Sequence, residues 1–328
     1  MRKRIVIGIL VLSMVMGALS GCGIVKSEEK TNELTETDLN EEIRYAVILK
    51  TQASDFWVKM KKAIEVKAEA MEIQVDIYAV QSEDDFEGQL DILESCIDKG
   101  YDGIAVAPLS STNLIPGIVR ANEQGIPIVN IDEKIDEEEL KEQGGFIADL
   151  VITDNVEIGR CAASFIAERV EPGYSVAIIE GMEGNRSGTD RTLGATEVFD
   201  EAGLKICASA PADWDREKAM ETAASIIEQN EELKAIYCCN DTMALGVLQA
   251  VINADKFGEI IVVGTDGDAE AVDSVEAGLL TATVVQDPES IGVKGLECMV
   301  QAVKSGKKGS VGVFPRPTIV DAALIFSK

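Results

Sequence analysis

Four short apolar runs in this chain each end at a polar side chain: Tyr45-Ala-Val-Ile-Leu-Lys50, Ile126-Pro-Ile-Val-Asn-Ile-Asp132, Ala235-Ile-Tyr-Cys-Cys-Asn240 and Ile260-Ile-Val-Val-Gly-Thr-Asp266. Short β-branched runs set between helical patterns predict strands of a parallel sheet covered on both faces. In such sheets ligands bind just beyond the carboxyl ends of the strands, where loops and helix N-termini converge. Four hydrogen-bonding groups at four strand ends therefore predict a pocket that holds one polar ligand by many contacts.

From Ile43 onward strand and helix patterns alternate. Strand 45–50 precedes a helix whose Trp57, Met60, Ile64, Ala68 and Met71 keep a period near 3.6 residues. Strand 73–79, a helix bearing Phe86, Leu90, Leu93 and Ile97, strand 103–107, a helix over 112–124 and strand 126–131 continue the βαβ order. A polar interruption at 133–145 leads to an apolar run at 146–152, and the alternation restarts. The second series takes strands 175–180, 204–208, 234–239, 260–265 and 281–285, with helices up to 202 and over 215–229, 241–253 and 268–277. A helix over 288–305 and a final strand near 318–325 close the chain.

Two such series of similar size predict two doubly wound α/β domains, which suits a length of 328 residues. The segments 151–155, 284–288 and 314–318 are candidate connections, with Pro288, Pro315 and Pro317 in or beside them. The expected division is an N-terminal lobe of 43–152 plus 287–316 and a C-terminal lobe of 153–286 plus 317–328.

Residues 1–21 stand outside this pattern. Arg2-Lys3-Arg4 and the apolar stretch from Ile5 to Leu19 predict a secretory signal, too short for a comfortable membrane span. Leu19-Ser20-Gly21-Cys22 resembles a bacterial lipobox, which implies cleavage before Cys22 and a lipid on its thiol. The body is then expected at the cell surface or periplasmic face of the bacterial membrane, held by an acidic tether over 22–42. The formal charge of −28 becomes −31 once the signal's three cations are removed. No basic block follows, which argues against nucleic acid and anionic lipid surfaces as partners. The chain has no histidine, and none of its seven cysteines lies in a metal-spaced CxxC pair, so no metal site is predicted. The six cysteines after Cys22 fall inside strand or helix patterns and read as core thiols.

A carboxylate after a strand either caps the next helix or faces a ligand, and both roles are open for Asp132 and Asp266. Asp154 and Asp241 read as caps, which leaves Asn240 as a ligand group with both a donor and an acceptor. Phe56-Trp57 and Trp214 stand at helix starts. An indole face suits the apolar face of a sugar ring, while carboxylates, amides and a guanidinium suit its hydroxyls. Gly181-Met-Glu-Gly-Asn-Arg-Ser-Gly188 lacks the ending and the spacing of a phosphate loop. With no GxSxG elbow and no histidine as general base, nothing in the sequence supports an enzyme.

Many segments together resemble the ribose and allose branch of the periplasmic sugar-binding proteins, the receptors of ABC importers. They are Tyr45-Ala-Val-Ile-Leu-Lys-Thr51, Phe56-Trp57, Ala107-Pro-Leu-Ser-Ser111, Val129-Asn-Ile-Asp-Glu-Lys134, Thr153-Asp-Asn-Val156, Pro211-Ala-Asp-Trp-Asp-Arg216, Ile236-Tyr-Cys-Cys-Asn-Asp-Thr-Met-Ala244 and Val263-Gly-Thr-Asp-Gly267. The resemblance implies a type I periplasmic binding protein fold, two domains joined by three hinge strands and closing around a sugar. It implies Lys50, Phe56, Trp57, Asp132 and Glu133 on one wall, Asn185, Arg191, Trp214, Asn240 and Asp266 on the other, and Gln286 by the hinge. The rigid fork of Arg191 suits two ring oxygens and a pairing with Asp132 or Asp266. Where the family has Asn-Pro before its aromatic pair, this chain has Ser54-Asp55. Ser54 is kept as a wall residue, and the lost amide and added charge bear on which sugar is bound.

The expectation is a monomeric, lipid-anchored receptor with no cofactor and no catalytic residue. Its ligand is a monosaccharide, D-allose foremost, delivered to the permease of an ABC importer. The alternatives are a ligand subunit for a chemoreceptor or sensor kinase, and a secreted carbohydrate-acting enzyme.

Overall fold

The computed structural model describes residues 43–327, so the signal segment, Cys22 and the tether lie outside the described residues. The first half alternates β1 (Arg44–Ile48), α1 (Asp55–Ala70), β2 (Gln74–Tyr78), α2 (Phe86–Asp98), β3 (Gly103–Val106), α3 (Ile115–Glu123), β4 (Ile128–Ile131), α4 (Glu137–Glu142) and β5 (Asp149–Ile152). The second half takes α5 (Asn155–Ala167), β6 (Ser175–Glu180), α6 (Arg186–Glu201), β7 (Lys205–Pro211), α7 (Arg216–Gln229), β8 (Leu233–Cys238), α8 (Asp241–Asn253), β9 (Ile261–Asp266), α9 (Ala269–Glu276) and β10 (Ala282–Val285). Then come α10 (Pro288–Ser305), β11 (Thr318–Ile319) and β12 (Ala323–Phe326).

The strands form two six-stranded sheets, in the orders β11-β5-β4-β3-β1-β2 and β12-β10-β9-β8-β6-β7. Every pairing is parallel except that of β10 with β12. The uninterrupted apolar run of β1 has a direct cause. Tyr45, Val47 and Leu49 pack with Met60 and Ile64 of α1 and Met299 of α10, while Ala46 and Ile48 point the other way, toward Leu93 of α2 and Ile118 of α3. Successive side chains thus meet helices on opposite faces, and both sets must be apolar. One continuous core fills the second half.

The chain passes between the halves after β5, after β10 and after β11. At the first and third passages Val320 N donates to Ile152 O at 2.9 Å, and at the second Gln286 N donates to Asp266 O at 3.0 Å. The third passage differs from the expectation. Thr318 and Ile319 pair with Val151 and Ile152 of the first sheet, whereas Ala323–Phe326 pairs with β10 of the second. The single strand expected near 318–325 is therefore two strands in different sheets. The crossing lies at 320–322 rather than within 314–318, and 318–319 stand with the first sheet, not with the C-terminal lobe. The interruption at 133–145 holds α4, where the Asp136 side chain accepts from the free amide of Glu139.

All six cysteines of the described residues are free thiols, with Cys96, Cys238 and Cys239 buried and the other three half-buried.

α5 and α6 approach backbone to backbone. A Cβ placed on Gly159 would lie 2.0 Å from Arg191 O, and one on Gly194 would lie 2.0 Å from Val156 O. This contact brings Asn155 and Arg191 together, with Arg191 Nε donating to Asn155 Oδ1 at 2.9 Å. Gly159→Ala should force the helices apart and destabilise the protein by about 1–3 kcal/mol, the usual range for overpacking. A thermal midpoint equal to that of the parent would contradict this packing account.

Candidate functional site

The four strand ends singled out by the hydrophobic pattern converge on one cavity of about 350 Å³ between the two halves. Lys50 follows β1 and Asp132 follows β4 on one side, while Asn240 follows β8 and Asp266 ends β9 on the other. Ser54, Phe56 and Trp57 complete the first wall, Asn185, Arg191 and Trp214 the second, and Gln286 lies at the second passage. The volume falls at the lower end of the range for small-molecule pockets.

Glu133 is the exception among the expected wall residues. It is 0% exposed and does not line the cavity. Its carboxylate accepts from Lys50 Nζ at 3.0 Å, from Ser187 Oγ at 2.7 Å, and from the backbone amides of Arg186 and Ser187. A buried carboxylate needs such partners to remain charged. Its place is therefore behind the wall, where it joins the halves.

Burial works against the charge of Lys50, but Glu133, Glu83 and Asp132 outweigh it, so its pKa is raised. Lys50 Nζ also donates to Asn185 Oδ1 at 3.2 Å and sits 5.8 Å from the centre of the Trp57 ring. Trp57 meets Phe56 edge to face, with ring centres 4.9 Å apart. It belongs both to the core under α1 and to the cavity wall. Arg191 donates to Cys239 O at 2.6 Å and pairs with Asp266 Oδ1 at 3.5 Å, which selects Asp266 from the two expected partners.

Neither Asp132 nor Asp266 caps a helix. Burial pushes the Asp132 carboxyl up to about 6 despite Lys50 beside it, and pushes Asp266 up to about 7 despite Arg191. Among the described residues six non-glycine residues have positive φ, and Asp132, Asp213, Trp214 and Asp266 of these line the cavity. Such backbones collect at functional sites, where surrounding structure enforces them.

The roles expected for Asn240 and Asp241 are corrected. Asn240 Oδ1 accepts from Met243 N at 2.9 Å and so caps α8, leaving its amide donor for the cavity. Asp241 is buried and accepts from Gly267 N at 2.8 Å, Asp268 N at 2.9 Å and Thr283 Oγ1 at 2.7 Å. It thereby holds the turn that aims Asp266. Asp154 caps α5, as expected.

Trp214 explains the glycine-rich segment. A Cβ on Gly181 would stand 2.0 Å from the indole, so the segment is a seat for a ring rather than a phosphate loop. Trp214 Nε1 and Gln286 Oε1 are buried without a hydrogen-bond partner. Gln286 Nε2 donates to Asp266 Oδ1 at 2.7 Å, which aims its oxygen away from that carboxylate.

Among the wall residues that the pattern missed are Gln81–Asp84 and Asp213. Both follow edge strands, β2 and β7, whose half-exposed residues give no continuous apolar run. The polar cluster Gln81-Ser-Glu-Asp84 just past β2 was the available signal. Within it, burial raises the pKa of Glu83, opposed by Lys50 and by a hydrogen bond from Trp57. Asp55, expected to add charge near the ligand, is not on the wall and bonds instead to Ala269 N at 3.2 Å.

Residues 45–308 match the family model of the periplasmic binding protein domain. The chain belongs to that family. It is 52% identical over 283 residues to the D-allose-binding periplasmic protein of Escherichia coli K12, covering 86% of this chain and 91% of that protein. It is 30% identical to the ribose import binding protein of Bacillus subtilis 168, over 93% of this chain and 95% of that one. Among solved structures, a periplasmic solute-binding protein from Actinobacillus succinogenes 130z with bound D-allose superposes with a TM-score of 0.80 at 29% identity, covering 87% of this chain and 98% of that one. Two parallel-sheet domains with helices on both faces are the type I architecture of these binding proteins.

The raised pKa of Asp132 has a definite sign. Above its unfolded value near 4, the native state holds this proton more tightly, so stability is lost as pH rises toward about 6. Asp132→Asn removes that cost and keeps a residue type that tolerates positive φ. The ligand-free variant should be more stable than the parent by about 1–3 kcal/mol at pH 8, with the gain gone at pH 4. Denaturation midpoints at the two pH values check this, and a variant less stable at pH 8 would refute it.

Proposed function

We propose that this protein is the extracytoplasmic solute-binding lipoprotein of a sugar ABC importer, that it binds D-allose in the cleft between its two domains, and that it hands the sugar to a membrane permease. The observation that carries the reading is the pairing of two indole rings with a ring of charged and amide groups around one cavity. Trp57 and Trp214 come from opposite domains and offer apolar faces, while Asp132, Asp266, Arg191, Asn240 and Gln286 offer acceptors and donors. A pyranose presents both kinds of surface, and the buried Trp214 Nε1 and Gln286 Oε1 are suited to hydroxyl partners. The names of the Escherichia coli and Actinobacillus succinogenes proteins support allose within the sugars. The relatives named are binding proteins, which supports binding rather than catalysis. Lipid attachment at Cys22 and a monomeric state belong to the same reading.

A ligand that contacts both domains favours the closed form by its differential affinity. Titration with D-allose, ribose, xylose, galactose and glucose, read by tryptophan emission and thermal shift, tests the proposal. D-allose should give the tightest binding and raise the melting temperature. Arg191→Ala should abolish the response while the circular dichroism of the variant stays native. No response to any of the five sugars would refute the reading.

A further inference from the structure

We propose that the closed cleft is held by helix caps that the first domain supplies to the second, so that the closed form is populated before any ligand enters. Six of the ten described helices, α2, α4, α5, α7, α8 and α10, are capped by the side chain of their own N-cap residue. The N-caps of α1, α3, α6 and α9 make no such bond. Two of these four, α6 and α9, begin at the seam between the domains, and each receives a carboxylate from the first domain.

On α6, Glu133 of the first domain accepts from the amides of Arg186 and Ser187 and from Ser187 Oγ. On α9, Asp55 of the first domain accepts from Ala269 N at 3.2 Å. Lys59 reinforces this second cap, bonding to Asp55 at 3.1 Å and to Gly267 O at 3.4 Å. Asn185 adds a bond across the seam, its Nδ2 donating to Leu109 O at 2.6 Å.

A free helix N-terminus attracts negative charge, and losing a capping oxygen shifts an equilibrium by roughly fivefold. Here those oxygens are available only when the domains meet, so the preference acts on closure instead of on helix formation. A larger closed fraction raises apparent affinity in proportion. The bond of Asp55 to Ala269 involves no residue of the cavity wall. The inference concerns closure itself, and only its affinity arm rests on the sugar-binding reading.

The test compares the full chain with Asp55→Ala, Asp55→Asn and the control Asp136→Ala, which removes a cap inside one domain. Small-angle scattering without sugar should show the alanine variant expanded relative to the parent, and the asparagine variant close to the parent, since asparagine caps as well as aspartate. The control should scatter as the parent does. Titrated with D-allose, the alanine variant should bind about fivefold more weakly, the effect of one lost cap. Equal scattering of parent and alanine variant would overturn the proposal, as would equal expansion of alanine and asparagine variants. Failure of the parent to bind any sugar would remove the proposed function and leave the scattering comparison valid.

Discussion

The structure turns on the buried carboxylate of Glu133. It joins Lys50 at the end of β1 to the first amides of α6, so one charge ties the first sheet, the cavity wall and the second domain together. A carboxylate with no exposed surface would be costly alone, and the ammonium and helix terminus supply the partners that make it tolerable. Lys50 depends on it in turn. Held by Glu133 and Asn185, the lysine presents its charge at a fixed point beside Asp132 and the face of Trp57.

The cavity accepts a stability penalty for its chemistry. Asp132 and Asp266 stand at strand ends with positive φ, their side chains only 11% and 10% exposed, in places where their ionised forms are disfavoured. Asp241 and Gln286 fix Asp266 from behind, and the close contact of α5 with α6 fixes Arg191 against it. Groups held this rigidly need little reorganisation when a polyol replaces water around them. Trp214 follows the same rule, since its ring rests where Gly181 has no side chain.

The central strands were legible in the sequence because both of their faces are covered, which writes an unbroken apolar run ending at a polar residue. Lys50, Asp132, Asn240 and Asp266 came from that rule alone. The edge strands β2 and β7 have one open face, so their runs alternate and the walls that follow them, Glu83 and Asp213, went unmarked. The short helix α4 and the split of the last strand into β11 and β12 depend on contacts made far along the chain. Glu133 shows the limit of a family resemblance. The sequence placed it beside Asp132, but only the fold shows that adjacent residues at a tight turn point to opposite sides of the wall. Asp55 is the same case, a charge next to the aromatic pair that faces another helix instead of the cavity.

Capping the helices of one domain from the other also gives the molecule an internal gauge. The amides of Arg186, Ser187 and Ala269 are bonded only while the domains touch, and each lies at the first turn of a helix that is otherwise secure. Their hydrogen exchange follows opening of the cleft, not unfolding of the helices behind them. Three backbone protons thus report the motion of the unlabelled protein, and each crossing of the seam can be timed separately.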